Sequence, residues 1–236
     1  MSKIKSSLNN ILVILIYILI FFVLANLMNS VIDKVIVSKD EDIIVSLFLN
    51  VFIYIFMFIS IILLMSNEIK TDFKILCKTS SINILYGSFL AMLCIYFGNF
   101  VGNIIATILG GIGDSANQSA VISMLTSKYG ILFFFIACFV GPFVEEAVFR
   151  KALHNGMRQI KIPTWLMLGI SSLLFGLIHV VSAGDFEFIF LYIFSGLVFG
   201  YLEIYYKSIF PGLIVHIVNN TLSCVIVFLL EMVFDF

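Results

Sequence analysis

Seven stretches of this chain, at about 8–32, 43–65, 82–110, 130–154, 164–182, 186–204 and 209–234, are long and apolar enough to cross a lipid bilayer. A helical span needs about 20 residues, because each residue adds 1.5 Å across a hydrocarbon core roughly 30 Å thick. The runs are continuous and rich in Leu, Ile and Phe, whereas a membrane barrel needs alternating strands of about ten residues. The fold class expected is all-α: one polytopic transmembrane bundle over 1–236, with about seven spans and an eighth possible. The stretch Gly110–Tyr129 holds a short apolar piece that reads as re-entrant or amphipathic. The first apolar run, Ile11 to Leu27, is too long for a signal-peptide core and reads as a retained span.

Composition excludes several alternatives. With 62% hydrophobic and 11% charged residues, the chain departs from the balance of a water-soluble globule. A net charge of -1 suggests neither a nucleic-acid partner nor a polybasic lipid patch. Cys77, Cys94, Cys138 and Cys224 are scattered without a CxxC pair, so no disulfide framework or thiolate zinc site is indicated. Basic residues set the orientation. With a cytoplasmic N-terminus, the inside holds Lys3 and Lys5, Lys70, Lys74 and Lys78, Arg150, Lys151, Arg158 and Lys161, and Lys207. The outside holds Lys34, Lys39 and Lys128, so the arrangement expected is a multi-pass cell-membrane protein with its N-terminus inside. Trp165, Tyr129, Tyr205 and Tyr206 fall at span ends, where aromatic belts belong. The small-residue spacings Gly98-x3-Gly102 and Gly196-x3-Gly200 read as close helix packing.

A charge inside hydrocarbon costs about 2.5–3.5 kcal/mol on insertion scales, so each intramembrane ionisable group calls for a reason. Three places in the last hundred residues do. In the fourth span, Glu145 and Glu146 follow Pro142, which removes a backbone hydrogen bond. Adjacent helical residues point about 100° apart, so the two acids face different surroundings. Glu146 and Arg150 have i,i+4 spacing and can pair, leaving Glu145 without a local cation; alternatively the helix ends early and both acids are wet. In the fifth span His179 is the only ionisable group, either a hydrogen-bonded packing residue or a functional one. In the seventh, His216 and Asn220 share a face at i,i+4, which suits function and helix-to-helix glue equally. Taken together, Glu145, His179, His216 and Asn220 are the groups that hydrolysis by activated water requires: a base, imidazoles to orient or carry charge, and an amide for the oxyanion. No GxSxG elbow, aspartate pair or HExxH helix competes with them.

Glu145-Glu146-x3-Arg150, Phe175-x3-His179 and His216-x3-Asn220, in this order, resemble the EExxxR, FxxxH and HxxxN pattern of the CAAX-protease and bacteriocin-processing (Abi) family of intramembrane proteases. The resemblance covers residues 141–220; the first 130 residues carry no matching motif. It implies a multi-helix fold, often of eight spans, with a cavity open toward the cytoplasm. Glu145 would activate water with His179, His216 and Asn220 would form the oxyanion site, and Glu146, Arg150 and Phe175 would support them. The implied activity is that of an endopeptidase similar to type II CAAX prenyl proteases, with a membrane-tethered or amphipathic peptide as substrate and the lipid bilayer as surroundings. Eukaryotic members trim prenylated proteins; bacterial members are linked to peptide maturation and bacteriocin immunity. Glu145, His179 and His216 could make a His2Glu zinc site, or Glu145 with His179 could activate water without a metal; the sequence leaves both open. Two other readings are a non-catalytic membrane immunity or scaffold protein and a small proton-coupled transporter. Transport folds usually show paired repeats in both halves, whereas these ionisable groups crowd into one. His154 matches no motif and receives no role.

Overall fold

The computed structural model describes residues 2–24, 27 and 39–234; residues 25–26 and 28–32 of the expected first span, and Lys34, lie outside them. The described residues form eight helices and no strand, as a polytopic helical bundle. They are α1 (Ser2–Ile18, continued by a wide turn at Leu19–Leu24), α2 (Lys39–Lys78), α3 (Ser81–Ile108), α4 (Ala116–Leu125), α5 (Gly130–Gln159), α6 (Thr164–Val180), α7 (Ile189–Tyr206) and α8 (Ile209–Phe234). Six of them are long and apolar enough to span a membrane. The expected fifth span is α6, an apolar helix of 17 residues at the short limit for crossing. The apolar piece after Gly110 is α4, whose first turn is capped where the Ser115 hydroxyl accepts from the Gln118 amide.

Hydropathy misplaced one boundary. The second span was expected to end at 65, but the helix runs on to Lys78 and bends at Met65, where φ is -120° and ψ 15°. No Pro or Gly lies there. Instead the Asn9 side-chain amide of α1 donates to the Leu64 carbonyl at 2.6 Å, an inserted donor of the kind that breaks the backbone ladder. Lys70, Lys74 and Lys78, expected in a loop, therefore stand on a helix.

α7 is the centre of the bundle, packed against α3, α6 and α8. Lipid supplies little hydrophobic drive between helices, so close backbone approach matters. A Cβ at Gly98 would lie 2.7 Å from Cβ of Phe194, and one at Gly102 would lie 2.9 Å from Cδ2 of Leu191. On the other face of α7, a Cβ at Gly196 would lie 3.1 Å from Cα of Ser172, and one at Gly200 2.6 Å from Cδ1 of Leu168. Both small-residue spacings thus seat α7 between α3 and α6.

Polar contacts tie one end of the bundle together. The Ser7 hydroxyl donates to Gln159 at 2.6 Å. Lys151 pairs with Asp72, whose other carboxylate oxygen accepts from the Ile209 amide at 3.1 Å and so caps the start of α8. Glu203, buried on α7, accepts from Arg158 at 2.7 Å and from Nδ1 of His154 at 2.7 Å. Overpacking a filled contact typically costs about 1–3 kcal/mol. Gly98→Val should therefore lower the thermal midpoint of the protein in detergent, whereas Gly156→Ala, where no atom lies within 4 Å, should leave it unchanged or raise it.

Candidate active site

The fourth span does not run as a regular α-helix. Ile136–Val140 and Glu146–Leu153 form wide π-type turns flanking the α-helical Gly141–Glu145. The Gly141 amide bonds to the Ile136 carbonyl, five residues back. In that register the missing N–H of Pro142 would have served the Ala137 carbonyl. That carbonyl is not left unpaired: Asn220 on α8 donates its side-chain amide to it at 3.0 Å. Such wide turns recur at functional sites because they reset which side chains face inward. Here they leave Glu145 and Glu146 both buried, 7% and 0% exposed, which excludes the wet reading of the two acids.

The two carboxylates are connected through one imidazole. His216 Nδ1 donates to Glu146 Oε1 at 3.1 Å, and its Nε2 lies 3.6 Å from Glu145 Oε2. Glu146 Oε1 also lies 3.2 Å from an Arg150 Nη1, the i,i+4 pair the sequence suggested, and neither side chain is exposed. The other guanidinium end donates to the Gly196 carbonyl at 3.2 Å. Phe175 sits beneath this group, its ring centre 4.3 Å from the guanidinium carbon, and Phe199 stacks on His216 with centroids 4.3 Å apart. A buried cation is thus held by a carboxylate, a carbonyl and aromatic faces together.

The His179 Nδ1 donates to the Phe175 carbonyl at 2.7 Å, which fixes the proton on that nitrogen and leaves Nε2 as the other functional position. Its ring lies stacked on Tyr192, centroids 4.3 Å apart, and the Tyr192 hydroxyl is hydrogen-bonded to Ser115 at 2.7 Å. Glu145, His179, His216 and Asn220 all line one cavity of about 740 Å³. Asn219 lines it too and donates to Asn220 Oδ1 at 3.3 Å, orienting that amide.

Sequence reasoning missed Tyr54. Its hydroxyl donates to Glu145 Oε1 at 3.4 Å. Tyr192 and Phe199 were missed as well. All three stand in uniformly apolar runs where an aromatic gives no signal. His154, given no role, lies outside this cavity in the cluster around Glu203. The zinc arrangement fits poorly: among the described residues no three His, Cys, Asp or Glu side chains converge as metal ligands would.

Part of the cavity is lined by exposed residues. Its lining runs from Glu145 outward to Gly113, Asp114, Ser182 and Ala183, all four exposed. The Asp72 and Glu203 clusters occupy the opposite end.

Comparison with known proteins agrees with this geometry. A family described as type II CAAX prenyl endopeptidase Rce1-like matches residues 127–222, which hold every motif residue. Over this segment the chain is similar to the Rce1-like family. The membrane-embedded CAAX protease MroQ of Staphylococcus aureus is 31% identical over 125 residues, 51% of this chain and 48% of that protein. An uncharacterised protein of Mycoplasma capricolum is 34% identical over 116 residues, 46% of this chain and 33% of that protein. The chain spans between a third and about half the length of the curated relatives it matches. No solved structure matches it. The Rce1-like segment holds all of α5, α6 and α7 and the first half of α8, while Tyr54 comes from outside it.

Removing one partner of a buried ion pair strands the other charge, at about 3–5 kcal/mol. Arg150→Met should therefore destabilise the folded protein strongly in detergent melting, and Glu146→Gln combined with Arg150→Met should recover part of the loss.

Proposed function

We propose that this chain is an intramembrane endopeptidase that hydrolyses a membrane-tethered or amphipathic peptide with water activated by Glu145. The observation that carries the reading is the placement of the Glu145 carboxylate on the cavity wall, between the Tyr54 hydroxyl and the His216 imidazole. The Rce1-like match and the CAAX protease relative support a membrane peptidase.

In this mechanism Glu145 takes a proton from a water in the cavity, and the water oxygen attacks the peptide carbonyl carbon. Nε2 of His179 faces that water and orients it. The developing oxyanion is met by the second N–H of Asn220, whose amide is fixed by Ala137 and Asn219, and by His216. Glu146 accepts from Nδ1 of His216, an orientation that lets the ring carry a further proton on Nε2 toward the cavity. As the tetrahedral intermediate collapses, Glu145 returns its proton to the leaving nitrogen and the C–N bond breaks. Tyr54 keeps the carboxylate pointed inward. Every step is assigned to this chain's own side chains.

A positioned general base contributes about 10²–10⁴-fold. Glu145→Gln should lower kcat/KM on a cleavable membrane peptide by that factor while leaving the detergent melting point near wild type. Tyr54→Phe, which removes one long hydrogen bond of about 1 kcal/mol, should lose less than about tenfold. Unchanged cleavage by purified Glu145→Gln would refute the water-activating role.

A further inference from the structure

We infer that Tyr192 on α7 is a positioning residue for His179, and that its hydroxyl makes the short helix α4 part of the same site. The inference rests on the endopeptidase mechanism for what His179 does, though not for how its ring is held. The outer torsion of a histidine side chain is broad and roughly two-fold, so a single hydrogen bond does not fix the tilt of the ring. The bond from His179 Nδ1 to the Phe175 carbonyl is such a single tether, made within α6 itself. Tyr192 supplies the plane: the two rings stack at an interplanar angle of 16° with centroids 4.3 Å apart. Phe175 also meets the imidazole, at 4.8 Å, but at 54° it is too tilted to set that plane. With the plane and Nδ1 both set, Nε2 has one direction.

Tyr192 is pinned in turn. Its hydroxyl shares a 2.7 Å hydrogen bond with Ser115 and accepts from the Asn117 side-chain amide at 3.3 Å. Ser115 caps α4, and Asn117 stands in the first turn of that helix. Asp185, which follows α6, accepts from the Ala116 amide at 2.8 Å. The start of α4 is therefore bonded both to α7 and to the segment after α6, and Tyr192 links it to His179. Residues 116–125 contain no ionisable side chain, so what α4 contributes through this link is placement and not proton transfer. Placement matters, because a 1 Å displacement of a catalytic group can cost about 100-fold in rate.

Ring-15N histidine labelling of the purified full chain in detergent tests how His179 is held. The sequence has three histidines, and His179→Gln identifies the relevant signal. Wild type should show His179 as a single Nδ1–H tautomer at neutral pH. Tyr192→Leu should show both tautomers there, with His154 and His216 unmoved. Tyr192→Phe keeps the stacked ring but loses the hydroxyl, and should speed hydrogen exchange across residues 116–125 by about fivefold or more, as loss of about 1 kcal/mol implies. On a cleavable membrane peptide, Tyr192→Leu should lower kcat about 10–100-fold with KM within about twofold, and Tyr192→Phe should recover most of that loss. In a His179→Ala chain, Tyr192→Leu should cost nothing further. A His179 signal that stays a single tautomer without Tyr192, or that moves together with those of His154 and His216, would overturn the inference whether or not the protein cleaves peptides. Unchanged exchange of α4 in Tyr192→Phe, or an equal fold loss with and without His179, would overturn it too. Cleavage that survives Glu145→Gln would instead strike the mechanism and leave the placement of the ring intact.

Discussion

The structure depends on a cation buried in the middle of a membrane bundle. Arg150 and Glu146 have no exposed surface, and each would be prohibitive in hydrocarbon alone. Their pairing makes burial tolerable, and the pair then fixes its neighbours. The guanidinium bonds to the Gly196 carbonyl, which ties α5 to α7; it lies over Phe175, which ties both to α6. Glu146 receives the His216 imidazole, which brings in α8. Four helices are thus registered around one charge pair, and the face of His216 turned away from Glu146 meets Glu145. Structural support and chemistry lie on opposite sides of a single ring.

The same economy governs the backbone. Pro142 and the wide turns around it release a carbonyl that could not remain unpaired in a membrane interior. Asn220 supplies the missing donor, so the residue whose amide is proposed to meet the oxyanion is also the one that closes the gap in α5. Close packing through Gly98, Gly102, Gly196 and Gly200 holds α7 between α3 and α6, and that holds Tyr192 against His179. The cavity around Glu145 is therefore a product of helix packing, with loop residues lining it only at 113–115 and 182–183.

Much of this was legible in the chain. Helix type followed from uninterrupted apolar runs. The Glu146–Arg150 pair followed from spacing, and the different surroundings of Glu145 from the 100° turn between neighbours. What was not legible has physical causes. The helix through Met65 bends because Asn9, distant in sequence, bonds to Leu64, and the wide turns of α5 arise from tertiary packing that hydropathy does not register. Tyr54 reaches Glu145 only through the packing of α2 against α5, between residues 91 apart in sequence.

The central claim is that Glu145 and His216, 3.6 Å apart, act as one unit in a single step, the carboxylate on the attacking water and the imidazole on the oxyanion that the attack creates. Groups that act together lose activity non-additively when removed. The direct measurement is a double-mutant cycle on kcat/KM for peptide cleavage with Glu145→Gln, His216→Ala and the combination. The account predicts that the double variant is about as slow as Glu145→Gln alone. A double variant whose loss is the product of the two single losses would contradict it, because the two side chains would then act independently.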